Sequence, residues 1–181
     1  MAKRGGGTAL DAAASAPDRR TIEWYLREAY AGPAWHGPSV RAALSGVTAE
    51  AAAWRPGPGR NTIWELALHL ACTRHRLLLR AGDDAAGRFP RRLTRSWWPS
   101  MPERATAGAW REDRALLEEY QERLLDVVAG APAERLLTRR PGQRGTIAHE
   151  LLGVALHDTY HAGQIRLLAR LREGAAVVAG G

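Results

Sequence analysis

The chain has 181 residues, 45% hydrophobic and 25% charged, enough to bury the core of one domain and too apolar for a disordered chain. Its 26 basic residues, all arginine except Lys3, outnumber 19 acidic ones for a net charge of +7. The single cysteine, Cys72, excludes an intramolecular disulfide and a Cys-rich zinc module and points to a reducing, cytoplasmic setting. Residues 1–17 read as a mobile tail, because the Gly5–Gly7 run and Asp11 interrupt any signal-peptide apolar core. No stretch reaches the roughly 18 apolar residues of a membrane span, so a membrane is not an expected partner.

Apolar residues recur at three- and four-residue intervals through most of the chain, which predicts an all-α protein. A first helix runs from Asp18, its N-cap, to Tyr30, with Ile22, Tyr25, Leu26 and Ala29 on its inner face. Gly32 and Pro33 end it, and Pro38 suits the start of a short helix carrying Val40, Ala43 and Leu44. Thr48 opens a third short piece. After a Pro56–Gly59 loop, Asn61 is placed to cap a helix from Thr62 to Ala81, with Ile63, Leu66, Ala67 and Leu70 as its inner stripe. Residues 82–103 show no period and five Gly or Pro breaks, the signature of a crossover connection or a functional flap.

A third long helix is predicted over 103–128, with Trp110, Leu117, Tyr120, Leu124 and Val127 inward, and a fourth over 146–172 that stops at Gly174. The inventory is a four-helix bundle, residues 18–174, with a long connection between the second and third long helices and a frayed tail over 175–181. Trp24, Trp54, Trp64 and Trp110 read as core or helix-packing residues.

The fourth helix carries the densest chemistry. His157 and His161 stand one turn apart on one face, a chelating spacing for a transition metal. Gln164 falls on the same stripe and is placed to bond a ligand or a metal-bound water. His69, between Leu68 and Leu70 and four residues after Glu65, lies on or beside a buried stripe, where an unpaired imidazole is costly. It supplies a third ligand, and three imidazoles leave at least one coordination position open. His36, beside Trp35, either lines the mouth of the cavity or stacks on Trp35 in a turn. His75, about 120 degrees round from His69, reads as solvent-facing, and His149 as a surface or supporting residue. Asp158, about 100 degrees from His157, reads as surface or supporting and not as a general base. Cys72 reads as a small buried hydrophobe.

These residues resemble the DinB-like (DinB/YfiT-like) family of metalloenzymes. The resemblance rests on Trp35 to Ser39 (WHGPS), Asn61 to Ala71 (NTIWELALHLA) and Gly153 to Leu168 (GVALHDTYHAGQIRLL), the last being the most specific, and it covers about residues 18–173. It implies a four-helix bundle whose metal, nickel or zinc, is held by His69, His157 and His161. It also implies relatives that use a low-molecular-weight thiol, and a homodimer. Trp35, His36, Glu65 and Gln164 are the candidates for pocket or supporting positions.

A divalent ion on three imidazoles lowers the pKa of water or a thiol at its open position. Hydrolysis and thiol transfer on a small-molecule substrate both follow, since no Ser-His-Asp set, phosphate loop or HExxH motif directs the chemistry elsewhere. A metal-binding or interaction module without turnover is the alternative class. The charge of +7 raises nucleic acid as a third partner, but the arginines of the 88–95 and 139–144 loops form no recognition motif. The adjacent pair Trp97 and Trp98 cannot both face one core from a regular helix, so at least one caps the cavity or meets a second subunit.

Overall fold

The computed structural model describes residues 17–95, 97–139 and 141–179. Among them, seven α-helices follow in order: α1 (Arg19–Ala31), α2 (Val40–Leu44), α3 (Ala49–Ala53), α4 (Ile63–Ala81), α5 (Ala107–Gly130), α6 (Ala133–Leu136) and α7 (Ile147–Ala179). Between α4 and α5 come a 3₁₀ turn at Asp84–Ala86 and a small antiparallel ribbon of β1 (Leu93–Arg95) and β2 (Trp98–Pro99), in which Leu93 pairs with Pro99 and Arg95 with Trp98. The expected N-terminal tail lies outside the described residues up to position 16.

Each long helix starts where a side chain satisfies its free N–H groups. Asp18 accepts from the Thr21 amide at 2.7 Å and Thr106 from that of Ala109 at 3.2 Å. The α4 cap is Thr62 rather than Asn61. Thr62 Oγ1 accepts from the Glu65 amide at 3.1 Å while Glu65 Oε2 accepts from the Thr62 amide at 2.8 Å, a reciprocal box that Asn61 cannot form with this spacing. Thr106 sets the start of α5 four residues later than Glu103. Gly174 does not stop α7, which continues to Ala179, because one glycine costs only about 1 kcal/mol in a helix and Ala175 and Ala176 favour helix. Residues 180–181 of the expected frayed tail lie outside the described residues.

Side-chain contacts fix the direction of each long helix. Trp64 bonds Asp113, Arg74 bonds Gln121 and Arg123 bonds Asp83, so α4 and α5 run parallel. Arg74 meets Asp158, and Arg80 meets Glu150, so α7 runs antiparallel to α4. Arg19 bonds the Ala129 carbonyl and Gln121 bonds that of Leu26, so α1 is antiparallel to α5. The result is an up-down-down-up bundle in which α1 packs on α5 and α7, and α4 packs on the same two. The parallel α4–α5 pair requires the long connection as a crossover back along the bundle.

The core is aliphatic, with Ile22, Leu26, Leu66, Leu70, Leu117, Leu124, Leu151 and Ile165 buried around Trp64 and Trp110. Val127 is only half-buried, Val128 taking the inner position. Trp24 and Tyr25 are not core residues. They are 53% and 47% exposed and pack edge to face on each other at 4.8 Å, because the buried stripe of α1 is the narrower set Ile22, Leu26, Ala29 and Tyr30.

A polar knot sits at the bundle centre. Arg74 and Asp158, both fully buried, pair at 2.5 Å. Arg74 Nε donates to Gln121 at 2.8 Å, Nη1 to the Leu70 carbonyl at 3.2 Å, and the guanidinium lies 5.0 Å from the Tyr30 ring. Asp158 is therefore an interior anchor and not a surface or supporting residue. Burial pushes its carboxyl up in pKa and the Arg74 guanidinium opposes that rise. No described helix is long and apolar enough to cross a membrane.

Removing one charge strands the other in the core, so Asp158→Asn and Arg74→Met should each cost about 3–5 kcal/mol in urea unfolding. The double variant Arg74→Met/Asp158→Leu should recover most of that loss. A double variant as unstable as the sum of the singles would show that the pair is not the coupled unit described.

Candidate metal centre

His69 is on α4 and His157 and His161 on α7, and the antiparallel register brings the three rings together. His157 Nε2 lies 3.1 Å from His69 Nε2 and 3.0 Å from His161 Nε2. One nitrogen from each ring falls within 4.8 Å of the others. Bonds of about 2.0 Å to a tetrahedral ion place nitrogens roughly 3.3 Å apart, so the two spacings from His157 are within a few tenths of an ångström of those in a metal site.

The outer faces of two rings set their tautomers. His69 Nδ1–H donates to the Trp97 carbonyl at 2.6 Å, and His161 Nδ1–H donates to Gln164 Oε1 at 2.6 Å. Gln164 is held in turn by its amide N–H bond to the Tyr160 hydroxyl at 3.0 Å. With both Nδ1 protons committed, the Nε2 lone pairs of His69 and His161 converge on His157. One proton on His157 Nε2 or one cation in the centre satisfies that set. His157 Nδ1 has no hydrogen-bond partner, nor does the buried Glu150 Oε2 two turns earlier on α7. Both residues line a cavity of about 290 Å³ together with Thr73, Arg80 and Trp97.

Two aromatic contacts cover one side of the site. The Trp98 ring stacks face to face on His69 at 4.1 Å with 7° between planes, and Trp97 lies beneath the Arg76 and Arg80 guanidiniums at 4.2 and 5.5 Å. Trp98 therefore covers the histidines and Trp97 anchors the ribbon to α4. On the other side, a cavity of about 630 Å³ runs past Gln164 between Leu66, Leu167, Leu168 and Leu171 and the 56–61 loop.

The remaining candidates sit elsewhere. Glu65 is occupied by the α4 cap and by Arg55 at 2.7 Å. Trp35, 90% exposed, and His36, also exposed, meet only each other, edge to face at 6.0 Å. They make no ring or hydrogen-bond contact with the histidines. His149 is exposed. His75 is buried rather than solvent-facing, since the crossover folds over that side of α4. Its Nε2 lies 3.1 Å from the Gly87 carbonyl and its ring packs on Phe89 and Tyr120. Cys72 is buried, and burial raises its thiol pKa. Sequence reasoning missed the Trp97 carbonyl, which no side-chain pattern reveals, and Glu150, whose seven-residue spacing from His157 was a readable signal.

Burial and the neighbouring imidazoles pull His157 down to about 3, and burial pulls His161 down to about 4 and lowers His69. In chelator-treated protein the unfolded imidazoles protonate as pH falls through about 6.5 while the folded ones resist. The unfolded state then binds more protons, and stability drops as pH falls from 6.5 toward the folded values. Thermal melts between about pH 7.5 and about pH 5 should show a steeper loss of Tm in the parent than in His157→Leu/His161→Leu. Parallel curves would place the acid sensitivity elsewhere.

The family model for the DinB superfamily matches residues 35–165. No curated protein and no solved structure matches the chain. The matched span runs from the α1–α2 connection into α7 and takes in all three histidines, and the chain belongs to the DinB superfamily.

Proposed function

We propose that His69, His157 and His161 hold one divalent transition-metal ion, zinc or nickel, in a metal-dependent enzyme acting on a small-molecule substrate by hydrolysis or thiol transfer. The observation that carries the reading is the convergence of the three Nε2 atoms while two of the Nδ1 protons are committed to Trp97 and Gln164. Three neutral nitrogen donors fit a borderline-soft ion better than magnesium or calcium, which take oxygen. Bound there, such an ion lowers the pKa of water or of a low-molecular-weight thiol at its open position.

The chain's own groups do the positioning. Trp97 and Gln164 fix ring orientation, and Trp98 excludes water from one face of His69. The leucine-walled cavity beyond Gln164 has the volume of a small-molecule pocket and would seat the carbon body of a substrate. Glu150 and the His157 Nδ1 atom face the smaller cavity, where a polar group of the substrate or a water can join them. We propose a homodimer as well, supported by the exposed row Leu156, Tyr160, Leu167 and Leu171 on α7. Sedimentation should give a dimer, and a monomer at high concentration would remove this assembly.

Elemental analysis of untagged protein purified without chelator should find about one equivalent of zinc or nickel. His157→Ala/His161→Ala should lose it while keeping its helicity. Gln164→Ala should bind the same ion about 10–100-fold more weakly. No metal in the parent, even after reconstitution, would leave the histidines as packing residues and return the weight to a non-catalytic module.

A further inference from the structure

One cleft does not contain the three histidines. It has a volume of about 1100 Å³ and lies between α4 and the crossover. Arg76, Arg80, Arg88, Arg91 and Arg92 line it, and no carboxylate does. Arg91 pairs with Asp113 at 2.6 Å and Arg80 reaches Glu150 at 3.6 Å. Arg76 and Arg80 are held over the Trp97 ring. Arg88 and Arg92 are exposed and have no carboxylate partner among the described residues. The wall between the guanidiniums is apolar, with Leu79 39% and Leu93 38% exposed beside the half-buried Phe89.

Arg88 and Arg92 bring positive charge without a carboxylate partner to one concavity, and a ligand anion offsets that charge while gaining charge-assisted bonds. The leucines exposed in the same cleft offer an apolar surface beside them. We propose that this cleft binds a small amphiphilic anion, one phosphate or carboxylate group on an apolar body. The head would be held by Arg88 and Arg92 and the body would lie on Leu79 and Leu93. None of the three histidines lines the cleft, which shares Arg80 with the smaller cavity beside His157. A small molecule fits better than nucleic acid, because the arginines surround a hollow with an apolar wall rather than forming a ridge. Trp97, the ring beneath Arg76 and Arg80, is already covered by those two guanidiniums.

The test is calorimetric titration of the metal-stripped full chain with n-octyl phosphate below its micellar range, with inorganic phosphate and with octyl glucoside. n-Octyl phosphate should bind saturably at one per chain, at least about tenfold tighter than inorganic phosphate, and octyl glucoside should not bind. Arg88→Glu/Arg92→Glu should weaken binding by about tenfold or more, since two charge-assisted contacts are lost. Arg166→Glu/Arg170→Glu, exposed on α7 and equal in charge change, should stay within about twofold. Absence of saturable binding, equal affinity for inorganic phosphate, or equal loss in both variants would overturn the proposal. So would a DNA duplex that binds more tightly than n-octyl phosphate and is lost in the Arg88→Glu/Arg92→Glu protein, which would assign the arginines to nucleic acid.

Discussion

A guanidinium and a carboxylate buried together at the centre of a bundle are tolerable only in an arrangement that satisfies nearly all of their hydrogen-bonding capacity. Arg74 comes close to it with groups from all four long helices, Tyr30 on α1, the Leu70 carbonyl on α4, Gln121 (itself held by the Leu26 carbonyl) on α5 and Asp158 on α7, whereas Asp158 Oδ1 keeps no hydrogen-bond partner. The hydrophobic core would accept several rotations of these helices, since its leucines and alanines are interchangeable in kind. The ion pair accepts few. Asp158 follows His157 directly, and Arg74 lies five residues after His69. The contact that sets α7 antiparallel to α4 therefore also sets where the imidazoles meet. Advancing α7 by one residue would turn it by about 100 degrees and shift it about 1.5 Å, removing Asp158 from Arg74 and His157 from His69 together.

The second constraint is topological. Because α4 and α5 run parallel, the chain must return along a helix about 28 Å long before α5 can begin. That return is where the protein covers its site. It first passes over His75, burying a ring that α4 alone would leave in water, and then forms the β1–β2 ribbon. The ribbon delivers the Trp97 carbonyl to His69 Nδ1 and the Trp98 ring to the face of the same imidazole. Thus His69 owes its orientation to a segment about 28 residues away, while His161 owes its own to Gln164, three residues along the same helix. His157 has neither kind of partner and faces a cavity instead. The three imidazoles are thus unequal, and the one with a free outer nitrogen is the one open to a bound molecule.

The helices and the histidines were legible because both depend on local spacing. Apolar period reveals α1, α4, α5 and α7, and the four-residue interval puts His157 and His161 on one face whatever α7 packs against. Burial was less legible where a helix is covered on more than one side. Packed against α1, α2 and α4, α7 buries an arc wide enough to take in Asp158 as well as the histidine stripe, so a 100-degree offset did not imply a surface position. Likewise Arg74 and His75, adjacent on α4, are both buried, one against the bundle and one against the crossover. The Thr62 cap could have been read, since Thr followed three residues later by Glu is the box signature. The partner of His69 could not, because a backbone carbonyl leaves no mark in composition or period.

A chain carrying +7 is an unpromising host for a cation, and the arrangement of its charges removes the conflict. The three imidazoles add no charge while neutral, and their lowered proton affinity keeps them so at physiological pH. The buried cation Arg74 is cancelled at 2.5 Å by Asp158, whose Oδ1 has no hydrogen-bond partner. The arginines of the crossover cleft lie across Trp97, where Asp113 and Glu150 compensate Arg91 and Arg80 and solvent screens the exposed Arg88 and Arg92. The positive field is thereby turned outward into the cleft. The histidine cluster is left with neutral donors whose lone pairs point at one another, and the same segregation would favour both the proposed cation among the histidines and the proposed anion on the crossover face.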